Sequence, residues 1–183
     1  MRFKKILFIV LMMFICYGTV DIKVSAESTS KVNVTDELTT KAVARTTSLK
    51  TTQTYSRADL RLMSAIIFCE AGGESYAGKV AVGIVVANRK TSAKFPNTIK
   101  GVVYQKSQFQ PARNGSLAKA LKRYDSGKFT TAAEKACVKA AKAALTNTKS
   151  VTYKNKTIKL NGFYFFSRQL SGARVKIGNH RFK

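Results

Sequence analysis

The chain has 183 residues, enough for one domain with additional segments, and a formal net charge of +24. A charge of this size bears on partners and solubility rather than on fold, and it favours an anionic partner. With one histidine and no Cys-x-x-Cys spacing, the sequence offers no recognisable metal-ligand set, so we expect neither a metal nor a cofactor.

Residues 1–26 have the pattern of a secretory signal peptide. A basic start precedes an apolar run from Ile6 to Tyr17, and Val24-Ser25-Ala26 supplies small residues for cleavage. A retained membrane anchor is the alternative, but this run is short compared with the roughly 20 residues of a membrane span. We therefore expect a secreted protein.

Residues 27–54 are predicted to form a disordered linker. Twelve of them are Ser or Thr, the few charges are mainly basic, and large apolar side chains are scarce. Such a segment cannot bury enough surface to offset the entropy of ordering it. A basic arm that associates with an anionic surface is the functional alternative. The folded domain is then expected to be residues 55–183.

The first predicted helix of this domain starts near Arg57 and ends at Gly72-Gly73. Ser56 and Asp59 have the spacing of a capping box, with the shorter Asp in place of Glu, and paired glycines stop helices. Glu70 follows Met63, Ile66 and Ile67 at helical spacing, which places it in line with the apolar face. A carboxyl at the edge of the core is partly desolvated, so it can hold a proton near neutral pH and act as a general acid.

The remaining elements are predicted to be mostly helical. The segment from Ser75 to Lys90 is almost continuously apolar, which is typical of a buried central helix, although its β-branched residues also suit a strand. Further helices are predicted at 97–105, 117–124 and 131–145, with a loop at 107–115. A hairpin at 151–160 and a strand at Phe163–Phe166 follow. The predicted fold class is α+β, mostly helical with a small antiparallel sheet.

Three sequence blocks resemble the SleB/CwlJ-type cell-wall hydrolases, the spore-cortex-lytic family. The first runs from Glu70 to Arg89 and follows the pattern E-A-x-G-E-x-Y-x-G-x-V-A-V-x-x-V-x-x-N-R. The second is Phe95–Pro111 and the third is Ile177–Phe182. The resemblance covers the chain from about Tyr55 to Lys183. The usual Arg, Pro and Glu of the family motif are replaced here by Gly72, Ser75 and Ala77.

The resemblance implies a lysozyme-like fold that cleaves the glycan strands of peptidoglycan, with Glu70 as the catalytic acid. It favours a lytic transglycosylase, in which one glutamate serves as acid and then as base to leave a 1,6-anhydromuramic end. Two alternatives remain: a glycoside hydrolase that also uses Glu74, and a non-catalytic wall-binding protein. Capping of the second helix is the preferred role of the Glu74 carboxylate. The residues expected to bind substrate are Glu74, Tyr76, Tyr104, Gln108, Phe109, Gln110 and Tyr164.

A cysteine hydrolase built on Cys69 and His180 is the sharpest chemical rival. We disfavour it because Cys69 neighbours Glu70 on one helix and is expected to point away from a cleft that Glu70 faces. Cys69 and Cys137 are expected to be buried free thiols rather than a disulfide.

The expected partners follow from the charge and from the signal peptide. We expect a monomer in the cell wall or spore cortex that binds peptidoglycan and is attracted to anionic wall polymers. Basic and aromatic residues are interleaved in the segment 151–168, as they are in proteins that bind single-stranded nucleic acids. Export and the absence of a nucleic-acid-binding motif nevertheless disfavour that class of partner.

Overall fold

The computed structural model describes residues 54–183, which belong to one compact unit with its own hydrophobic core. The predicted signal peptide and nearly all of the predicted linker lie outside these residues. Within the described range, no helix has both the length and the apolar character that crossing a membrane requires.

Two helices, α1 (Arg57–Ala71) and α2 (Tyr76–Thr91), form the centre of the buried core and confirm the predicted helix–glycine–helix pattern. The Ser56 hydroxyl starts α1 by accepting a hydrogen bond from the Asp59 amide at 2.9 Å. The chain leaves the helix at Gly72, as predicted. The β-branched residues of α2 are buried along almost its whole length, so tertiary packing outweighs their preference for strands.

Three further helices complete the helical part: α3 (Ile99–Val103), α4 (Ser116–Asp125) and α5 (Ala132–Leu145). The predicted loop between α3 and α4 contains a single 3₁₀ turn, Gln110–Ala112. Helix α5 packs against both α1 and α2. It comes so close at Gly83 that an added Cβ would lie 2.8 Å from the Cβ of Ala144. Glycine is therefore required at this crossing.

The predicted hairpin is confirmed as β1 (Ser150–Tyr153) and β2 (Lys156–Lys159), which pair in antiparallel register. Its two-residue turn, Lys154-Asn155, has positive φ angles of 49° and 60°. Positive φ at both positions is the signature of a type I′ turn, whose twist matches that of the flanking strands.

A second antiparallel sheet has the strand order β3-β5-β4, from β3 (Phe166–Ser167), β4 (Val175–Ile177) and β5 (His180–Phe182). The predicted strand Phe163–Phe166 is wrong in its extent, because only Phe166 pairs within the sheet. The Tyr164 and Phe165 amides instead both donate to the Lys183 carbonyl at 2.8 Å. The predicted α+β class is confirmed, with two small sheets rather than one.

Asn88 and Arg89, at the end of α2, fasten the helical part to the chain between the two sheets. The Asn88 amide nitrogen donates to the Leu160 carbonyl at 2.7 Å and to the Phe163 carbonyl at 3.0 Å. Its oxygen accepts a hydrogen bond from the Lys149 ammonium at 3.1 Å. Arg89 Nε donates to the Tyr164 carbonyl at 2.7 Å. Both motif residues therefore hold this segment in place.

We expect Asn88→Ala to lower the free energy of unfolding by about 1–3 kcal/mol. The variant removes the donor of the buried Phe163 carbonyl and one of the two donors of the Leu160 carbonyl, which keeps its hydrogen bond from the Phe163 amide at 3.2 Å. Denaturant titration measures the change. The exposed Asn161 provides a matched control, since Asn161→Ala should change stability by less than about 0.5 kcal/mol. Equal stability of the two variants would contradict the fastening role.

Candidate active site

An open cavity of about 740 Å³ lies at the C-terminal end of α1. Its wall combines the end of α1, the loop with the 3₁₀ turn, one face of α4, and residues of β3 and β5. The lining residues are Phe68, Cys69, Glu70, Gln110, Pro111, Asn114, Ser116, Lys119, Ala120, Arg123, Phe166, Ser167, Arg168 and His180. We call this space the Glu70 cavity.

The Glu70 carboxyl is half-buried in the wall of this cavity, as the helical spacing predicted. Burial raises its pKa above the ordinary value of 4.5, because the low-dielectric surroundings disfavour the charged form. Among residues 54–183, no side chain forms a hydrogen bond or an ion pair with this carboxyl. The group can therefore hold a proton and release it to a bound molecule.

Among the described residues that line the cavity, Glu70 has the one carboxyl group. The other charged side chains of the lining are basic. Lys119 and Arg168 form no salt bridge within the described range, although the charge of Arg168 contributes to the lowered pKa of Glu74. Arg123 forms a salt bridge with the buried Glu134, which is also the capping-box residue of α5. The cavity therefore combines one protonatable acid with a cationic wall.

Of the seven residues expected to bind substrate, all of which the structure describes, Gln110 alone lines this cavity. Tyr76 instead lines a separate cavity of about 320 Å³ beside α5 and β1. Tyr104 and Gln108 are exposed and lie outside the lining of the Glu70 cavity. The geometry of the cavity does not bring these three residues to Glu70.

Phe109 and Tyr164 use their rings for internal packing. Phe109 is only 2% exposed, with the Arg89 guanidinium 5.3 Å from its ring centroid and the Phe166 ring at 6.2 Å. A sugar cannot reach such a ring, so the prediction of substrate contact is wrong for Phe109. The Tyr164 ring is half-buried and lies 5.4 Å from that of Phe95.

Glu74 has a different role from the helix cap that we expected. The cap of α2 is Ser75, whose hydroxyl accepts from the Gly78 amide at 3.3 Å. The Glu74 carboxylate accepts hydrogen bonds from the Asn179 amide at 3.1 Å and from its side-chain nitrogen at 3.0 Å. Partial burial raises the pKa of Glu74, but these hydrogen bonds outweigh it, so the pKa lies below its ordinary value. Glu74 thus anchors the β4–β5 turn.

Gly178 shows how closely Glu74 approaches this turn. Its φ of +59° suits glycine, and an added Cβ would lie 2.1 Å from a carboxylate oxygen of Glu74. Any side chain at this position would therefore break the Glu74–Asn179 contact.

Cys69 and His180 both line the Glu70 cavity, so the expectation that Cys69 points away from it is wrong. Burial, followed by the neighbouring Glu70 charge, raises the pKa of the Cys69 thiol to about 11. Burial lowers the pKa of His180, and within the described range no hydrogen bond joins it to Cys69. A cysteine nucleophile needs a lowered pKa, so the site does not favour cysteine chemistry. Cys69 and Cys137 are free thiols, as predicted, but Cys137 is buried whereas Cys69 is only half-buried.

No group of three or more His, Cys, Asp or Glu side chains that could hold a metal occurs within residues 54–183. The sequence analysis also missed several polar lining residues: Asn114, Ser116, Ser167 and Arg168. Asn114-Gly115 was visible as a loop signal, but no local pattern indicates that this loop faces Glu70.

Curated relatives of this chain are spore cortex-lytic enzymes. The enzyme of Bacillus cereus is 43% identical over 63 residues, which is 34% of this chain and 24% of that protein. The enzyme of Oceanobacillus iheyensis is 40% identical over 72 residues, or 39% of this chain and 26% of that protein. This chain thus spans about a quarter of the length of these relatives.

Solved structures extend the comparison to the fold. The catalytic domain of the germination-specific lytic transglycosylase SleB from Bacillus anthracis matches with a TM-score of 0.50 and 26% identity, over 70% of this chain and 95% of that domain. The catalytic domain of Bacillus cereus SleB matches with the same score and identity, over 91% of its length.

A family model described as Cell Wall Hydrolase matches residues 73–183. The match begins three residues after Glu70, includes the Glu74–Asn179 contact, and covers more than half of the chain. This chain therefore belongs to the cell wall hydrolase family.

Proposed function

We propose that this protein cleaves the glycan strands of peptidoglycan as a lytic transglycosylase, with Glu70 as its acid and base. The observation that carries the proposal is the half-buried Glu70 carboxyl, whose pKa burial raises, in a cavity of about 740 Å³. The likeness to a lytic transglycosylase domain and to spore cortex-lytic enzymes supports peptidoglycan as the substrate.

The proposed reaction needs one carboxyl group. Protonated Glu70 donates its proton to the glycosidic oxygen, so the bond to C1 of the muramyl sugar breaks and positive charge develops on that ring. The resulting carboxylate then takes the proton of the sugar's own 6-hydroxyl while that oxygen closes onto C1. The products are a free hydroxyl on the leaving sugar and a 1,6-anhydro ring, and Glu70 is protonated again.

The composition of the cavity wall favours this mechanism over hydrolysis. Two-carboxylate glycosidases place their carboxyl groups about 5 Å apart for retention or about 6.5–9.5 Å apart for inversion. Among the described lining residues, Glu70 is the one carboxylate, and both oxygens of Glu74 are occupied by Asn179 outside that lining. Internal attack by the 6-hydroxyl avoids the need for a second carboxylate.

Substrate contacts in this proposal come from both walls of the cavity. Gln110, Asn114 and Ser116 supply amide and hydroxyl groups on one side, and Phe68 and Phe166 supply apolar surface. Tyr76, Tyr104 and Gln108 lie outside the lining of the Glu70 cavity, and their contacts with substrate remain predictions.

The proposed location is outside the cytoplasm, in the cell wall or the spore cortex, with the protein acting as a monomer. The secretory pattern of residues 1–26 supports export. Cortex lysis during germination and remodelling of the vegetative wall are the two settings in which this chemistry would operate.

Digestion of purified peptidoglycan by the intact chain, followed by mass spectrometry of the products, tests the proposal. We expect muropeptides that end in anhydromuramic acid. Products with reducing ends would show a glycoside hydrolase instead of a lytic transglycosylase. Cleaved stem peptides would instead support a cysteine hydrolase that uses Cys69. Tight binding to sacculi with no released product would leave a non-catalytic wall-binding protein.

A further inference from the structure

The charge of the chain is distributed unevenly. After Glu134, the sequence contains twelve Lys and Arg residues and no Asp or Glu up to Lys183. This carboxylate-free stretch contributes most of α5 and all five strands. Basic side chains on both sheets therefore have no acidic neighbour from their own part of the sequence. From elsewhere in the described chain, the Glu74 carboxylate reaches the β4–β5 turn and is bound there by Asn179.

Another cavity, of about 550 Å³, is lined by residues of the β1–β2 and β4–β5 hairpins. We call it the cationic cleft. It is lined by Tyr153, Lys154, Lys156, Ile158, Val175, Lys176 and Gly178. Its three lysines are exposed, and among its described lining residues there is no carboxylate. Three ammonium groups around one open concavity form a site for an anionic ligand.

The shape and composition of the cleft indicate what kind of anion fits. Each lysine ammonium acts as a point charge, unlike the planar, bidentate guanidinium of arginine. Separate point charges suit single phosphodiester groups that are spaced along a flexible chain. Ile158 and Val175 add apolar surface for the carbon atoms between such groups.

The same lining disfavours a nucleic acid. Single-stranded nucleic acids bind through aromatic rings on which bases stack. The aromatic ring of this lining belongs to Tyr153, and the Lys154 ammonium lies 5.7 Å from its centroid. The exposed large aromatic residues of the described chain, Tyr76, Tyr104 and Phe165, all lie outside the cleft lining.

We propose that the cationic cleft binds a linear polyol-phosphate polymer of the cell wall, through Lys154, Lys156 and Lys176. Each ammonium group pairs with a phosphodiester, and the counterions that the polymer releases drive the association. The bound polymer holds the protein on the wall without contacting Glu70.

The cleft and the Glu70 cavity are both lined in part by residues of the β4–β5 hairpin. Gly178 lines the cleft and His180 lines the cavity, two residues and therefore at most about 7 Å of chain apart. A polymer bound in the cleft thus raises the effective concentration of nearby glycan at Glu70. This last step rests on the proposed function, whereas binding of the polymer does not.

Titration with poly(glycerol phosphate) tests the binding. The variant Lys154→Gln/Lys156→Gln/Lys176→Gln of the full chain should bind at least about tenfold more weakly than the unaltered protein. The matched control, Lys94→Gln/Lys100→Gln/Lys106→Gln, removes the same charge from exposed residues outside the cleft and should lose less than about threefold. Replacing the three cleft lysines by arginine should retain binding, and circular dichroism checks that every variant folds.

The possible results separate the cleft from diffuse charge and from other anions. Equal losses in the two glutamine variants would overturn the proposal, because net charge alone would then explain binding. Tighter binding of oligothymidine, or equal binding of polyglutamate, would overturn the phosphate polymer as the ligand. Glu70→Gln should bind the polymer normally, so a failure of this proposal and a failure of glycan cleavage are distinguishable.

Discussion

Glu70→Gln should lower the rate of glycan cleavage by about 10²–10⁴-fold, the range that general acid catalysis contributes. Glutamine keeps the shape of the side chain at the end of α1 but has no proton to donate to the glycosidic oxygen. Release of anhydromuropeptides from purified peptidoglycan, followed over time, measures the rate.

Glu74→Gln is the matched control, because it removes a carboxylate four residues away that lies outside the cavity lining. Its side-chain oxygen can still accept one hydrogen bond from Asn179, so we expect a loss of less than about tenfold. A large loss in Glu74→Gln with retained activity in Glu70→Gln would assign the acid to Glu74 instead.

The stability of Glu70→Gln should change in the opposite direction to its activity. Because burial raises the pKa of Glu70, the native state binds more protons than the unfolded state once the pH exceeds the ordinary value of 4.5. Stability therefore falls as the pH rises through this range, and at neutral pH the native state carries the cost of a desolvated charge. Thermal melts should show Glu70→Gln to be more stable at neutral pH, with no difference well below pH 4.5. An inactive variant that is also less stable at neutral pH would point to misfolding.

Glu134→Ala should lower the free energy of unfolding by about 2–3 kcal/mol, the sum of a lost helix cap and a lost charge-assisted hydrogen bond. The carboxylate is 1% exposed, pairs with Arg123, and accepts from both the Thr131 amide and its hydroxyl at 2.8 Å. Urea titration measures the change. The variant also frees the Arg123 side chain, which lines the Glu70 cavity.

Acid titration distinguishes the charge of Glu134 from its size. The Arg123 guanidinium, helped by the Thr131 donors, lowers the pKa of Glu134 to about 2. This stabilisation is complete above the ordinary value of 4.5 and is lost as the pH falls through about 2. Glu134→Gln keeps the capping geometry, so its deficit should shrink over that range, while the deficit of Glu134→Ala should persist in part. A deficit of Glu134→Gln that does not depend on pH would contradict the role of the charge.

Features that depend on nearby residues could be read from the sequence. The caps at Ser56 and Thr131, the glycine stop after Glu70 and the β1–β2 hairpin follow from local chemistry that operates within a few residues. The position of Glu70 was predictable for the same reason, because helical periodicity links it to the apolar face of its own helix.

Features that depend on tertiary contacts could not be read in this way. Phe109 and Gln110 are neighbours in one loop, yet the first is buried and the second lines the cavity. The 3₁₀ turn and the packing of Arg89 on the Phe109 ring determine which of the two side chains is buried. Neither feature has a sequence signature. Strands β4 and β5 have three residues each, which is too short to produce a detectable alternation of apolar and polar residues. The sequence analysis therefore missed the side of the Glu70 cavity that carries His180.

The Glu74–Asn179 contact joins residues that are 105 positions apart in the sequence. Closing so long a loop costs entropy that local helices do not pay, and contacts of this kind form late in folding. The part of the Glu70 cavity that carries His180 therefore depends on a contact that the formation of α1 alone cannot supply. Under the proposed function, the active site would therefore be complete only once the two ends of the folded domain are joined.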